Sequence, residues 1–247
     1  MAEGITRRWA LQAVAWASTP YLISITARSA FAAPAAAGDY VGVIGGVPGG
    51  RIALSTDGQH VLAYVCNGTD TDTANLARWM HGETAGGVFD VGTTGITVIA
   101  QLQGDKASGT VILPDGSKHL FLAGSRTYRS ADAGLYRAEA TFNGVPYVGG
   151  WIVNPNRHGA ASLQPDVQPV SWSAPLQAGS AATTPGAFED LELEAEFEAQ
   201  ARTSGAILNQ QTGAVLPYAA PIFATMTAEV PGLGTFRLHR CVQTKCT

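Results

Sequence analysis

Short apolar runs, separated by glycine, asparagine or aspartate, dominate the middle of this chain. The run from Val61 to Cys66 is almost entirely apolar, too short for a typical helix and rich in residues that suit a buried strand. Because no helical period is long enough to supply a crossover, consecutive strands are expected to pair antiparallel. The predicted strands are Tyr40–Ile44, Arg51–Ser55, His60–Cys66, Val88–Val91, Ile96–Leu102, Gly109–Leu113, Lys118–Ala123, Gly134–Phe142 and Val145–Val153.

Three hairpin turns are predicted between these runs, at Asp57-Gly58, Asp115-Gly116 and Asn143-Gly144. Such pairs favour the two positive φ angles of a type I′ turn. The stretch Asn75–Gly82 interrupts the pattern and is interpreted as a single helical turn or a capping loop. The predicted fold class is all-β: an antiparallel meander closed or nearly closed into a barrel or sandwich, with a smaller C-terminal β segment.

Composition divides the chain into four parts. Residues 161–187 carry four prolines among Ser, Ala, Gln and Thr, which is typical of a linker. The predicted parts are an export signal at 1–37, an antiparallel β domain at 38–160, the linker at 161–187 and the C-terminal β segment at 188–247.

The C-terminal segment contains a strictly alternating run, Asp190–Arg202, followed by a predicted hairpin of Ile222–Val230 with Thr235–Val242. Alternation favours a strand for the first run, whereas its Leu, Glu and Ala favour a helix, so both states stay open. Arg237 and His239 share one face of the hairpin and are expected to lie opposite the alternating glutamates. Those glutamates form either a solvated face or one wall of an interaction surface.

The N-terminal residues resemble a twin-arginine export signal. Arg7 and Arg8 precede a weakly apolar run, Ala13–Thr26, and Ala30-Phe31-Ala32 offers the small residues that a signal peptidase reads. A Sec signal that happens to carry two arginines is the main alternative, and an uncleaved membrane anchor is a minor one. The run is too short to span a bilayer comfortably, so a secreted or envelope-associated product is expected.

Charge narrows the range of partners. Only 14% of residues are charged and 29 are glycine, which fits a turn-dense β protein. Cleavage after Ala32 removes three arginines and one glutamate and moves the formal net charge from −4 to −6. This sign gives no electrostatic reason to bind nucleic acid or anionic lipid. No later apolar run approaches the length of a transmembrane span.

The chain has three cysteines, Cys66, Cys241 and Cys246. An oxidising compartment favours a short disulfide between Cys241 and Cys246, which leaves Cys66 as a small hydrophobe inside a strand. In the alternative, Cys66 ties the C-terminal tail back onto the first domain. Two cysteines with only His239 nearby do not make a zinc site.

Three segments carry a resemblance to known proteins: Ala63–Gly68 (Ala-Tyr-Val-Cys-Asn-Gly), Gly134–Ala138 (Gly-Leu-Tyr-Arg-Ala) and Gly149–Val153 (Gly-Gly-Trp-Ile-Val). By these motifs, Asp39 to Gly159 resembles a group of exported actinobacterial, largely mycobacterial-type, small β-domain proteins of uncharacterised function. Asn67 stands where that group often has Asp. The resemblance implies one exported β domain and implies no catalytic residue.

No motif for nucleophilic, metal, phosphate or dinucleotide chemistry occurs, and the five histidines lie far apart in the sequence. The candidate ligand-binding residues follow the central strand and are Asn67, Asp70, Asp72, Trp79 and Glu83, with His81 between the last two. The side-chain oxygen atoms of Asn67, Asp70 and Asp72 either ligate a hard cation or cap turns, and the turn role is favoured because a full calcium set is lacking. Trp79 either lines the mouth of a barrel or plugs one end. We therefore predict neither a metal nor another cofactor.

Aromatic residues fall on the predicted strands, six of which are named below, and such a stripe usually belongs to a core. In a barrel of about eight strands the interior either fills with side chains or holds one small ligand. Among these aromatic residues are Tyr40, Tyr64, Phe121, Tyr136, Tyr147 and Trp151.

The first hypothesis is a non-enzymatic, exported β-domain protein that binds an unknown partner at the cell envelope. The second is an extracytoplasmic hydrolase that uses carboxylates such as Asp57, Asp70 or Asp115, although two of these have a turn role. The third is an interaction protein whose C-terminal sheet accepts an added strand. A purely structural protein without a small ligand is the remaining alternative.

Overall fold

The computed structural model describes residues 37–67, 76–84, 87–93, 95–125, 131–154, 159–165, 206–210 and 212–246. Within these ranges the chain forms sixteen strands and no α-helix, so the predicted all-β fold class is confirmed. The strands make two large sheets.

Sheet 1 is an antiparallel meander that curls into a nearly closed barrel. Its end strands lie beside each other, which protects most of both edges. In chain order its strands are β1 (Gly38–Ile44), β2 (Arg51–Thr56), β3 (His60–Cys66), β4 (Arg78–Glu83), β5 (Val88–Thr93), β6 (Ile96–Gln103), β7 (Lys106–Ile112) and β8 (Lys118–Ser125). Their order across the sheet is β4-β3-β2-β1-β8-β7-β6-β5.

Sheet 2 is a half-barrel whose strands come from the chain segments before and after residues 166–205. Its strands are β9 (Gly134–Phe142), β10 (Val145–Val153), β11 (Gly159–Pro165), β12 (Ala206–Asn209), β13 (Ala214–Pro217), β14 (Thr227–Val230) and β15 (Gly234–Val242). Their order is β13-β12-β11-β10-β9-β15-β14, and the short β16 (Lys245–Cys246) pairs with β15. The β11–β12 pair is parallel, whereas the other pairs are antiparallel.

β3 is apolar throughout because both of its faces are covered. Val61, Ala63 and Val65 point into the barrel interior, and the alternate residues Leu62 and Tyr64 belong to the cluster between the sheets. The barrel interior is packed with apolar side chains, including two of the predicted aromatics. The other aromatics lie in the concave face of sheet 2, except for Tyr64 between the sheets.

The two sheets meet at a point where a tyrosine ring lies on a glycine. A Cβ added to Gly150 would come within 2.1 to 2.5 Å of ring atoms of Tyr64. Only glycine therefore allows β10 to approach the ring this closely. Both residues belong to motifs that carry the resemblance described above, so at this point the motif residues have a packing role.

The stretch Asn75–Gly82 was expected to be a helical turn or capping loop, and this is wrong from Arg78 onward, whereas Leu76 is in 3₁₀-helical conformation. Residues 78–83 form β4, which pairs with β3. Met80 fills the barrel interior while Trp79 lies outside it, which is strand alternation. The sequence of β4 contains Arg, Trp and His and has no apolar run, so the strand was not recognised from the sequence.

The predicted type I′ turn forms only at Asn143-Gly144, where φ is 51° and 77°. Asp57 and Asp115 do not have positive φ, so the predictions there are wrong in turn type although both hairpins form. These connections are longer than two residues, and each aspartate instead accepts a backbone N–H two residues ahead, from Gln59 and Ser117.

The predicted C-terminal hairpin forms, as β14 with β15, but its first strand is only Thr227–Val230 and not the whole of Ile222–Val230. Residues 161–165, expected to begin the linker, belong to β11, because Ala161 and Leu163 are buried in the core of sheet 2. Sheet 2 therefore spans the expected boundary at residue 160. The alternating run at 190–202 lies outside the described residues. Arg237, expected opposite its glutamates, pairs across the ladder with Glu139.

Candidate functional site

One row of partly exposed aromatic, imidazole and carboxylate side chains runs along the outer face of the barrel. Trp79, His81 and Glu83 occupy alternate positions of β4, and His60 lies directly across the ladder from Glu83. Residues opposite each other in an antiparallel pair point to the same face. We call these four residues the β3–β4 patch. It includes two of the candidate residues from the sequence, Trp79 and Glu83.

Asp57 fixes the orientation of His60 at one end of this patch. Its Oδ1 accepts the backbone N–H groups of Gln59 at 2.8 Å and His60 at 2.6 Å, and its Oδ2 lies 3.0 Å from His60 Nδ1. The pKa of Asp57 is lowered to about 2, mainly because its carboxylate accepts a hydrogen bond from the backbone N–H of His60. Asp57 is therefore a carboxylate at neutral pH, and its Oδ2 is placed to accept a hydrogen bond from His60 Nδ1.

The imidazole rings of His60 and His81 lie next to each other. Their centroids are 6.0 Å apart and their planes differ by 11°. Burial, together with the nearby His60, lowers the pKa of His81, against the opposing effect of the carboxylates of Asp57 and Glu83. His81 is thus favoured in its neutral form, which is able to accept a hydrogen bond or bind a metal ion.

The other end of the patch leads into a narrow cleft between the sheets. Trp79 packs against the Tyr64 ring with centroids 4.5 Å apart and a 41° tilt. The buried Tyr64 hydroxyl is hydrogen-bonded to Ser162 and to the backbone of Gly150, and burial raises its pKa well above the usual value. The cleft is so narrow that it leaves almost no room for a water molecule. Trp79 therefore neither lines the barrel mouth nor plugs it, as had been expected, because it points away from the barrel.

The remaining candidate residues do not join this patch. Asn67 is buried and follows the end of β3 opposite to His60 and Glu83, which puts it about 20 Å from Glu83 at ~3.3 Å per residue. Asp70 and Asp72 lie outside the described residues. In the described part of the chain, no three His, Cys, Asp or Glu side chains are arranged to hold a metal ion as they stand.

Two carboxylates considered for hydrolysis lie at opposite ends of the barrel. The Asp57 turn follows Thr56, which pairs with the first residue of β1, whereas the Asp115 turn precedes β8, whose Phe121 pairs with the last residue of β1. β1 has seven residues, so the turns are about 20 Å or more apart. A glycosidase pair needs roughly 5 to 10 Å. Asp57 and Asp115 therefore cannot form such a pair.

The outermost strands of sheet 2 in the described part of the chain are poor templates for strand addition. β13 and β14 have four residues each, and β13 ends at Pro217. Short edges and proline both oppose pairing with an added strand. The geometry thus gives little support to the third hypothesis.

The three cysteines form one disulfide and one buried free thiol. Cys241 and Cys246 form a disulfide, and Cys66 is a buried free thiol whose pKa burial raises to about 12. The loop closed by the disulfide contacts the barrel through Ser55, which accepts the Thr244 N–H at 3.4 Å and donates to Asp39 at 2.8 Å. The tail is thus anchored to the barrel without a bond to Cys66.

Sequence reasoning missed the proximity of His60 and His81. Twenty-one residues separate them, and β4 had not been recognised as a strand. The available signal was local: an aspartate three residues before His60, and an alternating Trp-Met-His-Gly-Glu that fits a half-exposed strand.

Comparison of the chain with protein-family models, with curated proteins and with solved structures gives no match. Among the described residues, no helix has the length and apolar character needed to cross a membrane.

Proposed function

We propose that this protein is exported and acts as a non-enzymatic binding module at the cell envelope, with the β3–β4 patch as its binding face. The observation that carries the proposal is the row His60, His81, Trp79 and Glu83 on the rigid outer face of two paired strands. Aromatic faces, imidazoles and a carboxylate on a regular scaffold can orient a ligand by stacking and by hydrogen bonds.

The packing of the barrel favours a surface ligand over an enclosed one. The interior is filled by a cluster that includes Tyr40, Phe121, Met80 and Phe89. A lipocalin-like carrier, which also has a barrel of about eight strands, would instead keep an open cavity inside the barrel for its ligand. A ligand of this protein is therefore expected to bind on the outside.

The state of the carboxylates favours binding over hydrolysis. Asp57 accepts three hydrogen bonds and has a pKa of about 2, so it is a poor proton donor at neutral pH. Asp115 lies at the other end of the barrel. The hydrolase hypothesis then depends on Asp70, which is not among the described residues.

Thermal unfolding in the presence of soluble envelope oligosaccharides, together with capture on isolated cell-wall sacculi, tests the binding role. A ligand at a hundred times its Kd stabilises by about 2.7 kcal/mol, which for a chain of this size raises Tm by roughly 5–10 °C. Trp79→Ala and Glu83→Gln should abolish the shift and the capture. Gln101→Ala, an exposed change on β6, is the matched control. Absence of both signals in the unmodified protein would favour a purely structural role.

Export is tested separately by fractionation of the host and by determination of the N-terminus of the released protein. We expect the product to begin after Ala32, and replacement of Arg7 and Arg8 by lysine to retain the protein inside the cell if the twin-arginine route is used. Unchanged release of the double variant would point to the Sec route. Retention of the unmodified protein in the cytoplasm would refute an envelope role.

A further inference from the structure

The turn between the last two strands, β15 and β16, has a backbone conformation that its own residues disfavour. Gln243 and Thr244 form this two-residue turn, with φ angles of 48° and 67°. Two successive positive φ angles are typical of a type I′ turn, which prefers Asn-Gly and strains most other residues. In the described part of the chain four non-glycine residues have positive φ, and these two are adjacent. The turn therefore needs support from outside its own two residues.

One support is the disulfide between Cys241 and Cys246. It joins β15 directly to β16, and β16 has only two residues, so the ladder between them contributes little by itself. We call residues 241–246 the disulfide loop. Cys241 is buried, whereas Cys246 is partly exposed. A thiolate from the solvent is therefore able to reach Cys246 while both sheets stay folded.

The other support is a contact between the disulfide loop and the barrel. Ser55 Oγ accepts the N–H of Thr244 at 3.4 Å and donates to Asp39 Oδ1 at 2.8 Å. Immediately before the loop, Arg240 pairs across the ladder with Tyr136 of β9, which holds β15 independently of the disulfide. Opening of the disulfide is thus expected to release the residues after Cys241 while the rest of β15 stays in sheet 2.

We propose that the Cys241–Cys246 disulfide is a redox-sensitive switch, which a dithiol opens in the folded protein so that the C-terminal tail leaves Ser55. One thiolate of the dithiol attacks the sulfur of Cys246, the S–S bond breaks, and Cys241 leaves as a thiolate that takes up a proton. The second thiol then displaces Cys246 in the same way. The dithiol loses two electrons and two protons and becomes a disulfide, and both cysteines become thiols.

The strained turn is what distinguishes this bond from a purely structural disulfide. Because opening of the loop relieves the positive φ angles, the strain favours the reduced form. The inference concerns the folded chain alone and does not rest on the proposed envelope function.

Equilibration of the oxidised full-length protein with mixtures of reduced and oxidised dithiothreitol tests the proposal. Free thiols are alkylated with one reagent under native conditions and with a second reagent after unfolding, and both labels are located by mass spectrometry. We expect Cys246 to carry the first label and the buried Cys66 to carry the second. Hydrogen exchange in the reduced protein should become faster at residues 242–246 and stay unchanged in β9 and β10.

A change in the turn tests whether reduction releases the tail. Gln243→Asn with Thr244→Gly gives the turn the sequence that type I′ geometry prefers. If the turn opens on reduction, this double change stabilises only the oxidised form and should shift the thiol–disulfide equilibrium towards the disulfide by roughly tenfold. Gln101→Asn, the same side-chain replacement at an exposed position of β6, is the matched control and should leave the equilibrium unchanged.

Two results would overturn the proposal. One is reduction of the disulfide only under conditions in which Cys66 also takes the first label, because the bond would then open only when the protein unfolds. The other is an equal equilibrium in the turn variant and the unmodified protein, because the turn would then stay closed after reduction. Capture on sacculi is measured separately, so the two proposals fail independently.

Discussion

Replacement of Gly150 by alanine should destabilise the contact between the two sheets. The new methyl carbon would lie 2.1, 2.3 and 2.5 Å from ring atoms of Tyr64, whereas carbon atoms pack at about 3.5–4.0 Å. The ring must therefore retreat by more than about 1 Å. Trp79 packs against the Tyr64 ring. The Tyr64 hydroxyl is hydrogen-bonded to Ser162 and to Gly150. The ring therefore cannot move without loss of contacts.

The expected cost follows from these contacts. Overpacking of a well-packed site costs about 1–3 kcal/mol, and loss of one buried hydrogen bond adds about 1 kcal/mol. Gly150→Ala should thus lower the free energy of unfolding by about 2–4 kcal/mol. Urea unfolding, followed by tryptophan fluorescence, measures this change as a lower transition midpoint.

A double-mutant cycle separates this cause from a general effect of alanine in a strand. In a Tyr64→Ala background the added methyl group meets no ring, so Gly150→Ala should cost little there. Gly149→Ala is the matched control, because its Cβ would meet Leu163 and Ser162 but not Tyr64, and its cost should be the same in both backgrounds. An equal cost of Gly150→Ala with and without the Tyr64 ring would refute the reasoning.

Three further predictions concern the cysteines and Asp57. The Cys66 thiol, buried and with a pKa of about 12, should not react with Ellman's reagent at pH 8 until the protein is unfolded, and rapid reaction of the native protein would contradict its burial. Cys241→Ser with Cys246→Ser opens a loop of six residues and should lower stability by about 2 kcal/mol by the chain-entropy relation, whereas an unchanged urea midpoint would show that the bond contributes nothing. The folded-state pKa of Asp57 is lowered to about 2, so the contribution of Asp57 to stability is present above about pH 4 and is lost as the pH falls towards 2. Asp57→Asn should therefore make the free energy of unfolding fall less steeply with decreasing pH in this range. A variant whose stability falls as steeply as that of the unmodified protein would be inconsistent with this pKa.

The motif residues illustrate how a sequence signature acquires its meaning in three dimensions. Ala-Tyr-Val-Cys-Asn and Gly-Gly-Trp-Ile-Val lie on different sheets, and their Tyr64 and Gly150 meet at the sheet-sheet contact. Neither segment alone indicates that contact. The functional candidates lie beside it, on the part of β4 where the covering sheet ends and the side chains become partly exposed.

Local sequence determined the fold class, most strands of the barrel and the Asn143-Gly144 turn, because side-chain alternation, apolar runs and the conformational freedom of glycine act over a few residues. Only the tertiary structure decided that residues before and after 166–205 share one sheet and that Trp79, His81 and Glu83 form a strand. It alone brings His60 beside His81. Strand pairing depends on contacts between residues far apart in the sequence, which bury apolar surface. A polar, half-exposed strand such as β4 is stabilised mainly by pairing with β3, so its own residues only weakly favour the strand conformation.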